Sequence, residues 1–160
     1  MSETVTTIRA IRPAARAIVI HDGKLLAAKM RDRQGVYYIL PGGGQQPGET
    51  LREAVVRECM EECGVEVEVQ ELLYVREYIG KNHTFSDRHA RFHQLEHVFR
   101  CRVLDPHAVV PGGNCDNHQV GVNWLALEAM AAIRFYPEVI KPFFTADGIE
   151  VPCIYLGDCN

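Results

Sequence analysis

Glu58, Glu61 and Glu62 stand three and four residues apart in LREAVVRECMEEC, shortly after the run Gly42-Gly43-Gly44. At 100° per residue, three such positions span about 100° of a helix and share one face. Three carboxylates that close repel one another and raise one another's pKa. A hard divalent cation removes the repulsion. Mg²⁺ accepts oxygen ligands and keeps part of its water shell, which suits carboxylates working with substrate phosphates. So held, it lowers the pKa of a bound water and polarises a phosphoryl oxygen. Glycines let a backbone approach a ligand closely, so the carbonyls of Gly42, Gly43 and Gly44 are further oxygen ligands and their amides can meet phosphate. The competing reading is a solvated acidic face, paired with Arg52 and Arg57.

The element that must position these carboxylates is strongly punctuated. Pro47-Gly48 reads as a turn, and Thr50 with Glu53 three residues on reads as a capping box. Gly64 fits the left-handed position past the helix end. The helix is therefore expected over Leu51–Cys63, with a structural role for Glu53. Leu51, Val55, Cys59 and Cys63 form its apolar stripe, which places the acidic stripe at the margin of the buried face.

Around it, ARAIVIHDGKLLAAKMR reads as a hairpin turning at Asp22-Gly23. GVYYIL is a strand entering the glycines, and VEVEVQELLYVREYIG is one or two strands. QLEHVFRCRVL and VGVNWLAL are further strands. Residues 81–93 and 105–119 read as loops, EAMAAI and YPEVIKPFFT as short helices, and VPCIYL as an added strand. Residues 1–12 form a lead-in. Helices flanking a mixed sheet are the natural architecture for this order.

The whole chain sets bounds on function. Its 160 residues suit one domain, and a net charge of −4 argues against a nucleic-acid-binding surface. No apolar run reaches the roughly 18 residues of a membrane helix, and the N-terminus lacks the order of a signal peptide. The expected location is cytoplasmic, with no nucleic-acid or membrane partner. The six cysteines contain no C-x-x-C pair and read as reduced thiols.

Gly43, Glu49, then Arg57-Glu58-Cys59-x-Glu61-Glu62-x-Gly64-Val65 resembles the box of the Nudix hydrolase (MutT-like) family. Cys59 stands where an aliphatic residue is usual. Leu40-Pro41 before the box and NWLAL after it agree. The layout resembles the family over about residues 13–145, leaving 146–160 as a C-terminal extension of a single domain, 1–160. The resemblance implies an α/β fold, an α/β/α sandwich with a mixed β-sheet. It implies hydrolysis of a nucleoside diphosphate linked to another moiety, such as a nucleoside triphosphate or nucleotide sugar, with Mg²⁺ or Mn²⁺. Glu58, Glu61 and Glu62 then look like the metal carboxylates, with the Gly43 carbonyl as a further ligand. Glu58 or a carboxylate outside the box is the base, and Arg57 orients a catalytic glutamate through its fork. Glu49 supports the site through water or through the helix. Family analogy also raises a homodimer.

The resemblance does not name the substrate. The proline of the ADP-ribose type is replaced by the window Gly80-Lys81-Asn82, and the markers of the dinucleoside polyphosphate, coenzyme A and NADH types are missing. Tyr37, Tyr38 or Phe85 are candidates to stack on a base. Glu96, opposite Leu95 and Phe99 on its strand, is a candidate extra carboxylate; otherwise it pairs with Arg100 or Arg102. His89, His93 and His97 recur every four residues, yet no carboxylate or thiol completes a metal set, so hydrogen bonding to a pyrophosphate suits them better. A second function class is a non-catalytic module of this fold that senses a nucleotide or binds a partner. The intact carboxylates favour the enzyme. An isopentenyl-diphosphate-isomerase-like role needs a cysteine that GVYYIL lacks.

Overall fold

The structure is a computed structural model that describes residues 10–112 and 118–160. Strands β1 (Ile11–His21) and β2 (Lys24–Asp32) form the expected hairpin, with Asp22 and Gly23 both at positive φ (48° and 69°). That pair of left-handed residues matches the twist of the flanking strands. β3 (Gly35–Ile39) follows, and the glycines themselves form a short strand, β4 (Gly42–Gly44), rather than a free loop. The helix α1 covers Leu51–Cys63 with the full Thr50–Glu53 capping box, and Gly64 ends it at φ 67°.

β5 (Val67–Ile79) is a single strand, and β6 (His93–Val103) runs antiparallel to it. The segment between them is not the simple loop its polarity suggests. Gly80–Asn82 is a 3₁₀ turn and α2 spans Ser86–His89, because Phe85 buries itself and folds the polar residues around it. After β7 (Gln119–Ala126), the two expected short helices are 3₁₀ segments, Leu127–Ala132 and Glu138–Phe143, separated by β8 (Phe135–Tyr136). Pro142 inside the second gives a reason for its brevity. β9 (Phe144–Thr145) and β10 (Gly148–Ile149) make a small ribbon, and β11 (Tyr155–Asp158) starts four residues later and ends two later than VPCIYL suggests. Of the expected lead-in 1–12, Ile11 and Arg12 already belong to β1; residues 1–9 and the segment 113–117, which includes Cys115, lie outside the described residues.

The main sheet runs β11-β5-β6-β1-β2-β3-β8, with β4 on β1 and β7 on β2. It is mixed: β1 pairs β6 in parallel and β2 antiparallel. Ala15, Ala17 and Val19 of β1 face α1 and pack on Val55, Cys59 and Cys63. Small alanines let the helix approach closely, and the period-2 alternation sends Ile18 to the opposite face. There it meets Tyr74, Val98, Met130, Phe135 and Ile140 beneath the 3₁₀ segments. Helical layers therefore cover both faces of the sheet.

One edge of β1 is shared. β2 leaves it after Ile20–His21, and β4 takes over at Ala14–Arg16. Between them Ala17 N–H donates to the Pro41 carbonyl at 2.9 Å. The glycine strand is therefore stitched into the sheet where the sheet divides, with α1 starting seven residues further on.

Candidate active site

The acidic helix face has the graded burial its spacing implies. The Glu58 and Glu61 side chains are 14% and 31% exposed, and Glu62 is buried. The charge at their centre is internal. Arg57 Nη1 donates to Glu58 Oε1 at 2.9 Å and Glu61 Oε2 at 3.2 Å. Its Nε and Nη2 clasp Glu49 at 3.0 and 2.7 Å, and Nη2 also reaches the Gly44 carbonyl at 3.1 Å. The bidentate bond to Glu49 is the first cause of a raised Arg57 pKa, and the same bond lowers that of Glu49. Glu49 Oε1 also accepts from Gln46 N–H at 2.7 Å, so it locks the approach to the helix. Arg52 stays out of the cluster: it bonds the Val69 and Gln70 carbonyls and lies over the Phe99 ring.

The glycines are close-approach positions. Gly42 has φ 139° and abuts the Ala15 backbone, conditions only glycine tolerates. Its N–H donates to Glu62 Oε2 at 3.0 Å, tying β4 to α1. A Cβ on Gly43 would fall 2.6 Å from Glu58 Oε1, so this glycine's backbone is pressed against the carboxylate. Gly44 is covered by the Arg12 guanidinium.

The donor set fits a hard divalent cation. Three carboxylates around one guanidinium leave two negative charges, with Glu62 beside them, and Gly43 brings a backbone next to Glu58. Among the described residues no three His, Cys, Asp or Glu side chains converge into a closed metal cage. Magnesium sites of one or two carboxylates completed by waters and substrate phosphates do not require one.

Glu58, Gly42 and Gly43 border a cavity of about 560 Å³. Its apolar end holds Tyr37, Phe85 and Tyr136, with ring centroids 5.0–5.7 Å apart. Arg134 fixes this end. It lies over Tyr37 and Tyr136 at 5.1 and 5.7 Å, and forks onto Asp32 at 2.9 and 2.7 Å. That bond holds the Asp32 carboxyl at about 2. Tyr37 and Phe85 thus meet in the cavity, whereas Tyr38 packs in the core beneath the 3₁₀ segments.

Glu96 does not take the Arg100 or Arg102 partner expected for it. Arg100 and Arg102 pair with Glu71 and Glu68 instead. Glu96 is buried between Arg16 and Arg76, at 3.2 Å to Arg16 Nε and 2.6 Å to Arg76 Nε. Burial would push its carboxyl up, but the two guanidiniums outweigh that and hold it at about 2. The histidines diverge: His89 bonds Tyr78, His93 bonds Glu77, and His97 bonds the Ala14 carbonyl. Of the three, His89 lines the cavity, where burial lowers its pKa. Cys59, Cys63 and Cys101 are buried, and burial pushes the Cys101 thiol up to about 12.

Arg16, Arg76 and Tyr136 are cavity residues that sequence reasoning did not single out. A signal was present for the arginines. Each interrupts an apolar strand, AARAIVI and LLYVREYI, on a face that alternation assigns to the interior.

The NUDIX domain model matches residues 11–145, and the chain belongs to this family. A 55-residue stretch is 42% identical to the nucleoside triphosphatase NudI of Enterobacter sp. (strain 638), covering 32% of this chain and 39% of that protein. The match thus spans about two-fifths of that curated relative. A crystal structure of a NUDIX hydrolase from Nitrosomonas europaea superposes with TM-score 0.68 at 20% identity, over 94% of this chain and 81% of that one. An ADP-ribose pyrophosphatase from Streptococcus suis gives TM-score 0.57 at 18% identity, over 93% of this chain and 100% of that one. At those identities the superpositions speak for the fold. Among the described residues no helix is long and apolar enough to cross a membrane.

Proposed function

We propose that this chain is an Mg²⁺- or Mn²⁺-dependent hydrolase that cleaves a diphosphate bond of a nucleoside diphosphate linked to another moiety. The observation that carries this reading is the undercharged cluster of Glu49, Glu58 and Glu61 around Arg57, set against Gly43 at the mouth of the cavity. Glu58, Glu61, Glu62 and the Gly43 carbonyl would hold the metal. When bound, the metal neutralises phosphate charge and makes a bound water more acidic. Arg57 holds Glu58 and Glu61 together and fixes their orientation, and Glu58, which borders the cavity, is our candidate to take a proton from the attacking water. Gly42 orients Glu62, and Glu49 holds Arg57. The aromatic end of the cavity suits a nucleobase, whose face stacks on such rings. The local likeness to a protein named a nucleoside triphosphatase favours a nucleoside triphosphate as the moiety-bearing substrate. We place the protein in the cytoplasm.

The test is phosphate release from nucleoside triphosphates, nucleotide sugars, ADP-ribose and dinucleoside polyphosphates, with Mg²⁺ or Mn²⁺ and a coupled phosphatase. Turnover of one class is expected, lost with Glu61→Gln and lost when the metal is chelated. A folded protein that binds Mg²⁺ yet turns over no member would overturn the reading and favour a nucleotide-sensing module.

A further inference from the structure

The cavity has a second polar wall, built entirely outside the Gly43–Val65 motif. Arg16, Glu96 and Arg76 come from three neighbouring strands, β1, β6 and β5. The register sets Glu96 directly between Ala14 and Arg76. Ala14 carries no bulk beyond Cβ, which leaves room for the Arg16 side chain two residues on to reach Glu96. All three charged residues border the cavity.

The charge count is the reverse of the acidic cluster. Two guanidiniums share one carboxylate at 2.6 and 3.2 Å, so these three side chains together hold one more cation than anion. Burying a surplus cation costs stability, and a bound anion would offset that cost. Both arginines are also held rigidly while keeping donors in reserve. Arg16 Nη1 is spent on the Leu40 and Gly42 carbonyls at 3.2 and 2.8 Å. Arg76 Nη1 is spent on the Cys159 carbonyl and Asn160 Oδ1. Neither Nη2 makes a hydrogen bond to any described residue, and Arg76 is 6% exposed. Beside them, the Asn160 Nδ2 donor and the Tyr74 hydroxyl are buried with no partner among the described residues.

We infer that Arg16 and Arg76, bridged by Glu96, form an anion seat that takes a phosphate of the substrate's polyphosphate chain in the cavity that Glu58 also borders. Glu96 is its positioning residue rather than a metal carboxylate. Guanidinium forks of fixed orientation match phosphate oxygens better than mobile lysines do. The seat includes the C-terminal tail. β11 pairs with β5, and Asp158 accepts from Ile79 N–H and Asn82, which brings Cys159 and Asn160 against Arg76. These residues lie beyond the 11–145 segment that the family model matches. The inference rests on the diphosphate-hydrolase reading of the site, but its chemistry can be tested without turnover.

The probe is sodium tripolyphosphate, titrated calorimetrically into the metal-free full chain. Wild type, Arg76→Lys, Glu96→Gln and Arg102→Ala are compared, with thermal midpoints measured alongside. Arg102 pairs with Glu68 on the exposed surface and serves as the control. Binding is expected to weaken at least tenfold in Arg76→Lys and Glu96→Gln, and to stay within twofold in Arg102→Ala. Arg76→Lys retains a cation and guards against the case in which Glu96→Gln fails to fold. On a substrate that is turned over, Arg76→Lys should raise KM with kcat little changed, which a purely structural role would not do. Equal tripolyphosphate affinity in wild type and a folded Arg76→Lys would overturn the inference, as would no binding by wild type. Triad-dependent binding in a protein that hydrolyses nothing would leave the anion seat standing and the hydrolase reading refuted.

Discussion

Two arginine-carboxylate clusters meet at one cavity, the first through Glu58 and the second through Arg16, Arg76 and Glu96, and they are built to opposite stoichiometry. At Arg57, one guanidinium serves Glu49, Glu58 and Glu61 and leaves negative charge over. At Glu96, one carboxylate serves Arg16 and Arg76 and leaves positive charge over. The first cluster suits a cation and the second an anion, so a metal-bound polyphosphate matches both. The clusters also touch. Arg16 holds the Gly42 carbonyl while Gly42 N–H holds Glu62, and burial, which lowers the Arg16 pKa, is outweighed by Glu96, Glu62 and Glu58. They differ most in origin. Glu49, Glu58 and Glu61 each lie within eight residues of Arg57, whereas Arg16 and Glu96 are 80 residues apart.

The comparison breaks most visibly at the acidic cluster. Glu61→Gln should lower kcat by roughly 10²–10³-fold while leaving the fold intact, the size of effect seen when a charge-stabilising group is removed. Steady-state kinetics with circular dichroism would check this, and a small loss would mean the cluster is structural. At the basic cluster the leading effect is on stability. The folded chain holds the Glu96 carboxyl at about 2, below its ordinary value of 4.5, so its stabilisation is present above about 4.5 and is lost as pH falls toward 2. The linkage is on the order of 3 kcal/mol. Denaturant melts of wild type between pH 5 and 2 should therefore fall more steeply than those of Glu96→Gln, and parallel slopes would dissolve the contrast.

Smaller effects sharpen the picture. Tyr136→Ala should raise KM about tenfold on a nucleotide substrate and leave hydrolysis of inorganic tripolyphosphate unchanged if a base stacks there. Kinetics on the two substrates side by side would show it. Thr50→Ala should cost about 1 kcal/mol through the lost capping bond, seen as a lower denaturation midpoint with unchanged KM.

Much of the first cluster was legible before any coordinates. Its residues lie on one helix and the turn leading to it, so 100° periodicity and cap chemistry are enough to group them. Arg57 as the hub was legible only in outline, because its five donors could have gone to solvent or to other carboxylates. Glu96 shows the limit more plainly. Its strand position was right and its partners were not, since Arg100 and Arg102 are near in sequence but lie with Glu71 and Glu68 at the surface. The segment 81–93 failed for a related reason: its polarity hid one buried anchor, Phe85.

The sequence by itself determined α1 and its caps, the Asp22-Gly23 hairpin, the grouping of Glu58, Glu61 and Glu62, and the family. These depend on contacts within a few residues, where backbone geometry leaves little choice. Only the tertiary structure decided that β4 is stitched to β1, that Glu96 joins Arg16 to Arg76, and that Cys159 and Asn160 close on Arg76. Those pairings follow from strand order and register. Alternating side chains say which face a residue takes, but not which strand will lie beside it.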